Sequence, residues 1–236
     1  MFKIKMAGLT IQINNRYPFI RQLCEDYITD EEAFDITASA SDEEILAQIA
    51  ADNDPTTPDY CESLCIYRNI CLQLPVHDAF LIHSAGIAVD NEAYLFLAKS
   101  GVGKSTHVRL WAEAFYDRSH IINGDKPILR KIGKRWFVCG TPWQGKENWG
   151  SNTRVPLKAI CFLERSEKNH IRSIEADQVA ERIFHQLLMP KEEAQISAFF
   201  LLLEDLLKKI PAYLMQCNQE KEAALVAYEG MRQSPQ

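Results

Sequence analysis

The stretch Ala98-Lys99-Ser100-Gly101-Val102-Gly103-Lys104-Ser105 packs two glycines, a lysine and a hydroxyl side chain into one short loop. Glycines at 101 and 103 let a backbone curl with its N–H groups pointing inward. A helix starting directly after them turns the positive end of its dipole on the same spot. Lys104 adds a cation for the β/γ oxygens of a triphosphate such as ATP, Ser105 offers a hydroxyl to Mg²⁺, and Thr106 is an auxiliary hydroxyl. The first position is alanine where glycine is commoner. The chemistry requires a strand before the loop and a helix after it, and otherwise the motif is only a glycine-rich turn. Tyr94-Leu95-Phe96-Leu97 and His107-Val108-Arg109-Leu110-Trp111 have those two patterns. Phosphate is therefore expected on Ser100, Gly101, Val102, Gly103, Lys104, Ser105 and Thr106.

Twenty residues beyond Ser105, the run Ile121-Ile122 ends in Asn123-Gly124-Asp125. An acidic residue at the end of an apolar strand is placed to share Mg²⁺ with Ser105. In a chain without the loop it would read as a turn aspartate.

These residues must be positioned by elements whose signals are local. Residues 2–6 and 9–13 alternate around Ala7-Gly8 as a hairpin, residues 17–27 suit a short helix and residues 33–38 a strand. Ser41-Asp42-Glu43-Glu44 is a capping box that opens a helix over 42–51, and a second helix is expected over 59–73. Apolar runs at 80–89 and 93–98 read as strands joined by the tight-turn pair Asp90-Asn91. The loop helix follows over 106–115, then a strand at 120–123 and a hairpin at 127–139 across Gly133-Lys134. A buried strand at 159–163, helices at 175–188 and 192–210, a strand at 212–217 and a helix at 220–231 complete the chain. The texture divides it into an N-terminal αβ region, 1–75, and a phosphate-loop region, 76–236.

Composition narrows the setting. The chain has 236 residues and a net charge of −6, which leaves no basic footprint for nucleic acid. The longest apolar stretch, near 196–203, is too short to span a bilayer, and the N-terminus lacks a signal-type apolar run. Seven cysteines, an odd number in a long chain, read as reduced thiols in a cytoplasmic protein. Cys61, Cys65 and Cys71 have no partner pattern for a metal and read as core residues.

Several motifs together resemble the C-terminal domain of HPr kinase/phosphorylase, and more closely the HPr-kinase-related bacterial proteins. They are Leu81-Ile82-His83-Ser84-Ala85-Gly86, the loop running on into Thr106-His107-Val108-Arg109-Leu110-Trp111, the end Asn123-Gly124-Asp125, and Gly140-Thr141-Pro142-Trp143-Gln144-Gly145-Lys146. The resemblance covers about residues 75–217. It implies an α/β fold of the phosphoenolpyruvate-carboxykinase-like P-loop type, with mixed sheets and flanking helices. It also implies a phosphotransferase: a Mg²⁺-dependent kinase moving a phosphoryl group from ATP, or another phosphate donor, to a hydroxyl of serine or threonine type. The acceptor, whether protein, peptide or small molecule, is not readable from the chain.

The family carries two adjacent aspartates at the strand end, the first a base for the hydroxyl. Gly124 stands in that place here, and only Asp125 remains, at the metal-binding position. His83, fifteen residues before Ala98, matches the family's active-site histidine and is the substitute for proton transfer. Lys146 matches a lysine placed to neutralise a transferring phosphate, and Lys126 has the charge for similar work. Arg154, in Asn152-Thr153-Arg154, looks like the Asn-Thr-Arg run of the carboxykinases, where it would reach a phosphate; the bland alternative is a surface arginine. The lost aspartate keeps open a nucleotide-binding regulatory module with little turnover, and a carboxykinase-like small-molecule enzyme ranks third. HPr kinases are hexamers, so a homo-oligomer is a further expectation.

Overall fold

The computed structural model describes residues 1–52, 56–99 and 101–232; Ser100 lies outside them. The chain opens with β1 (Phe2–Met6) and β2 (Leu9–Asn14), an antiparallel hairpin whose Ala7-Gly8 turn has positive φ at both residues. The short helix α1 (Phe19–Leu23) and a 3₁₀ turn at Glu25–Tyr27 lead to β3 (Ile36–Ser39), which adds to β2 in parallel. Helix α2 (Asp42–Ala51) carries both bonds of its capping box, between Ser41 and Glu44. Helix α3 (Pro58–Gln73) starts on a proline in its first turn, where no N–H is needed, and packs on α1, α2 and β3.

The remainder is built around β10 (Arg154–Arg165). Before it in sequence lie β4 (Ala79–Leu81), β5 (Ala85–Val89), β6 (Glu92–Leu97), α4 (Lys104–Ala114), β7 (Ser119–Asn123), β8 (Ile128–Ile132) and β9 (Arg135–Cys139). After it come β11 (His170–Ser173), α5 (Ala176–Ile183), a 3₁₀ turn at Phe184–Gln186, α6 (Glu193–Lys209), β12 (Ala212–Cys217) and α7 (Lys221–Arg232). The N-terminal end of β10 pairs antiparallel with β9, extending the row β4-β8-β9. Its C-terminal part lies parallel between β6 and β12, inside the mixed row β11-β12-β10-β6-β5-β7. Helices α4 and α7 cover one face of that mixed row, and α5 and α6 contribute to the apolar cluster on the other. Among the described residues, no helix is long and apolar enough to cross a membrane.

The helices expected over 17–27 and 175–188 each give way to a 3₁₀ turn, after Leu23 and Ile183, and the strands differ from expectation in three places. The apolar run 80–89 is two strands, because the N–H groups of His83 and Ser84 turn away to the carbonyls of Gln186 and Asp125. The strand expected at 159–163 begins at Arg154, where Arg154–Pro156 pair with β9. β11 is an additional strand whose residues are mostly exposed, so no apolar alternation marked it.

Candidate functional site

The phosphate loop follows β6 directly, and α4 begins at Lys104. Gly101 and Gly103 have φ of +79° and +122°. A Cβ at Gly101 would meet no neighbour, so glycine is demanded there by backbone conformation and not by space. Arg165, at the end of β10, donates to the carbonyls of Gly101 and Val102. With these carbonyls on Arg165 and the Val102 N–H on Lys99 O at 3.2 Å, the N–H groups at the start of α4 are the ones left for an anion. Lys104 Nζ donates to Ala98 O at 3.0 Å. Partial burial holds the Lys104 ammonium below its ordinary pKa, with Asp125 pulling the other way.

The loop borders a cleft of about 710 Å³. His83, Lys104, Ser105, Thr106, Asp125 and Lys146 all line it. His83 Nε2 lies 3.0 Å from Asp125 Oδ1, and Lys126 Nζ lies 3.6 Å from Oδ2. Burial opposes ionisation of Asp125, but the hydrogen bond from His83 and the charges of Lys126, His83 and Lys104 outweigh it, so its pKa is lowered. An ionised carboxylate and the Ser105 hydroxyl are hard oxygen donors of the kind Mg²⁺ takes, so the residues present fit that ion. The lining also includes Leu23, Tyr60 and Leu64, all from the N-terminal region.

Asn123 organises this corner, and the motif reading assigned it no part. It is fully buried at the end of β7. Its Oδ1 accepts from the N–H groups of Asp125 at 2.9 Å and Lys126 at 2.7 Å. Its Nδ2 donates to Thr141 O, Thr141 Oγ1 and Trp143 O at 3.0–3.3 Å. One side chain thus ties the turn that presents Asp125 to the loop that presents Lys146. Asn-Gly-Asp after an apolar run is the local signal of such an Asx turn.

The neighbouring Gly124 is hemmed in, since an added Cβ would stand 3.0 Å from Gln144 O and 3.4 Å from Trp149 O. The loop backbone occupies the ground where a second carboxylate would begin. Trp143 stacks on Tyr67 of α3, with ring centres 4.0 Å apart, and Tyr67 Oη donates to Lys126 O at 2.7 Å.

Arg154 is not brought to the cleft. Its guanidinium lies over the Phe137 ring and beside the Ala7-Gly8 turn, in an exposed position. His107 is buried under the loop helix, accepts from Trp111 Nε1 at 3.1 Å and has its pKa pushed down to about 4 by burial. Six of the seven cysteines are buried as free thiols, and Cys217 is half-buried.

No family model matches the chain, and no curated protein is similar to it in sequence. Among solved structures it is similar to the HPr(Ser) kinase/phosphatase from Coxiella burnetii. That likeness is 10% identical, spans 64% of this chain and 93% of that one, and has a TM-score of 0.38.

Proposed function

We propose that this chain is a cytoplasmic phosphotransferase that binds Mg²⁺-ATP on the 98–105 loop and passes the γ-phosphoryl group to a hydroxyl. The observation that carries this reading is the meeting of the loop with a His83–Asp125 pair in one cleft. A carboxykinase-like fold goes with it, supported by the mixed sheet and the β5–β6 hairpin that feeds the loop. The loop amides and Lys104 hold the phosphates, and Ser105 and Asp125 would hold Mg²⁺, whose charge would offset that of the phosphates. With His83 Nε2 engaged by Asp125, Nδ1 is the nitrogen left to take a proton. The acceptor hydroxyl gives its proton to Nδ1, its oxygen forms the new bond to the γ-phosphorus, and the bond to the β–γ bridging oxygen breaks with its electron pair leaving on ADP. Lys146 and Lys126 neutralise the group in transit. The acceptor stands against Leu23, Tyr60 and Leu64, which gives residues 1–75 the role of an acceptor-side wall.

Nucleotide binding without turnover is the second reading, favoured by the filled space at Gly124. The test is label transfer from γ-labelled ATP, with Mg²⁺, into extract of the native cell. An acceptor labelled by the wild type, and labelled about 10²–10⁴-fold more slowly by His83→Ala, supports transfer. ATP bound with no acceptor labelled sinks transfer and leaves the binding module.

A further inference from the structure

A second cavity, of about 550 Å³, shares the phosphate loop with the first. It is lined from the C-terminal ends of the parallel strands β6 and β10, by Leu97, Phe162 and Leu163, and by Val102 of the loop. The crevice at the carboxyl ends of parallel strands is where open α/β sheets take ligands. Leu97, Val102, Phe162 and Leu163 make part of its lining apolar, as a base requires, and the rest is mostly polar, with Glu164 and Arg182 paired at 3.4 Å. A loop that holds phosphates on one side needs a place for the nucleoside on another; this cavity has the room, whereas another that touches Val102 and Gly103 is only about 20 Å³.

Gln186 sits on the inner wall and is 8% exposed. Its Oε1 has no hydrogen-bond partner. Its Nε2 reaches Ala98 O at 3.4 Å, at the long end for such a bond, so the carboxamide is held loosely and can turn as a ligand enters. Ala98 O is the same carbonyl on which Lys104 rests. Phosphates on the loop draw Lys104 away, and Gln186 is then the remaining side-chain donor to that carbonyl among the described residues. Fixed in this way, its Oε1 is an acceptor waiting for a donor. Gln186 also binds the other cavity, since its backbone carbonyl takes the N–H of His83 at 2.8 Å.

We propose that the second cavity is the nucleoside pocket of the ligand whose phosphates lie on the loop, and that Gln186 Oε1 selects a base presenting an amino group there, as adenine does. The assignment rests on the phosphate-loop reading above. Calorimetry with the Mg²⁺ complexes of ATP, ITP and inorganic tripolyphosphate tests it. ITP carries a carbonyl where ATP carries the amino group, and tripolyphosphate has no nucleoside.

The expected order is ATP tightest, ITP about five- to tenfold weaker for the lost hydrogen bond, and tripolyphosphate weakest. Gln186→Met should bring ATP to the level of ITP and leave tripolyphosphate unchanged. Tripolyphosphate binding as tightly as ATP overturns the nucleoside pocket, and equal ATP and ITP overturn the role of Gln186. Absent tripolyphosphate and ATP binding overturns the phosphate loop itself, and this assignment with it. Photolabelling of the unmodified protein with 8-azido-ATP gives an arm that needs no variant. Label on peptides spanning 162–165 or 181–186 supports the pocket, and label on 60–64 or 142–148 overturns it.

Discussion

Asn123→Ala should cost the protein stability and cost the site its geometry, and the amount follows from the bonds lost. The side chain makes five hydrogen bonds from a fully buried position. Removing it strands the N–H groups of Asp125 and Lys126 and the carbonyl of Thr141. Trp143 O is left with Thr141 Oγ1 at 3.4 Å, whose one proton is better placed on Lys126 O at 3.0 Å. Each stranded buried group costs about 1–3 kcal/mol, and water from the cleft relieves part of that for the two N–H groups. The expected loss is about 3–5 kcal/mol, or a fall in Tm of roughly 10 °C for a chain of this size. Asn123→Asp should be worse despite equal shape, because it turns a buried carboxylate oxygen on two carbonyls. Urea denaturation of the three proteins at pH 7 measures this. If Asn123→Asp matched the wild type, or Asn123→Ala fell by less than 1 kcal/mol, the placing of Asp125 by Asn123 would be refuted.

The remaining expectations concern titration and binding. His107 has a folded pKa of about 4, below its ordinary 6.5, so the folded state binds fewer protons and stability rises with pH between those values. The wild type should lose about 2–3 kcal/mol from pH 7 to 4.5, and His107→Gln should show a flatter profile in urea melts. Asp125 is also shifted down and acts with the same sign. Its lowered pKa gives stability that is present above the ordinary carboxylate range and lost as pH falls through its folded value. Asp125→Asn should lack that acid-limb component between about pH 5 and 3. Lys104→Met removes a partly buried ammonium and should leave the free protein at least as stable by thermal melting. Saturating Mg²⁺-ATP at about a hundred times Kd should stabilise the wild type by roughly 2.7 kcal/mol and the variant hardly at all; an equal shift in both would speak against the loop.

What could be read from the residues was what neighbouring residues decide. The Ser41 capping box and the Asp90-Asn91 turn close within a few positions, and both occur as local chemistry dictates; Asp90 and Asn91 have φ of +52° and +62°. The strand, loop and helix around residues 98–105 were legible for the same reason, since the glycines, Lys104 and Ser105 are contiguous. The break at 82–84 was not, because its N–H groups find acceptors at Gln186 and Asp125, far along the chain. Gln186 and Tyr60 were passed over as site residues on the same ground, since their value lies in partners or cavity walls supplied by distant segments; Asn123 had a local sign in its Asx turn, but its bonds to Thr141 and Trp143 come from a distant segment. Arg154 is the converse case: the tripeptide left a phosphate contact and a surface arginine both open, and its position is one that only the sheet could set. The pairing of its strand with β9 and the ring of Phe137 hold it away from the cleft.

The apolar cluster beneath the N-terminal sheet draws in Ile128, Cys139 and Trp143 from the region that carries the loop. This has a consequence for anyone cutting or recombining the chain near residue 75. A fragment starting at 76 would expose the face of Trp143 that Tyr67 covers and would leave Lys126 O without one of its two donors. It would also present a cleft open on the side that Leu23, Tyr60 and Leu64 now close. The first 75 residues are therefore not an exchangeable cassette. Grafted onto a relative without a matching tryptophan, they would bring an unfilled socket, and the loop 141–148 would lose the stacking of Trp143 on Tyr67 that ties it to α3.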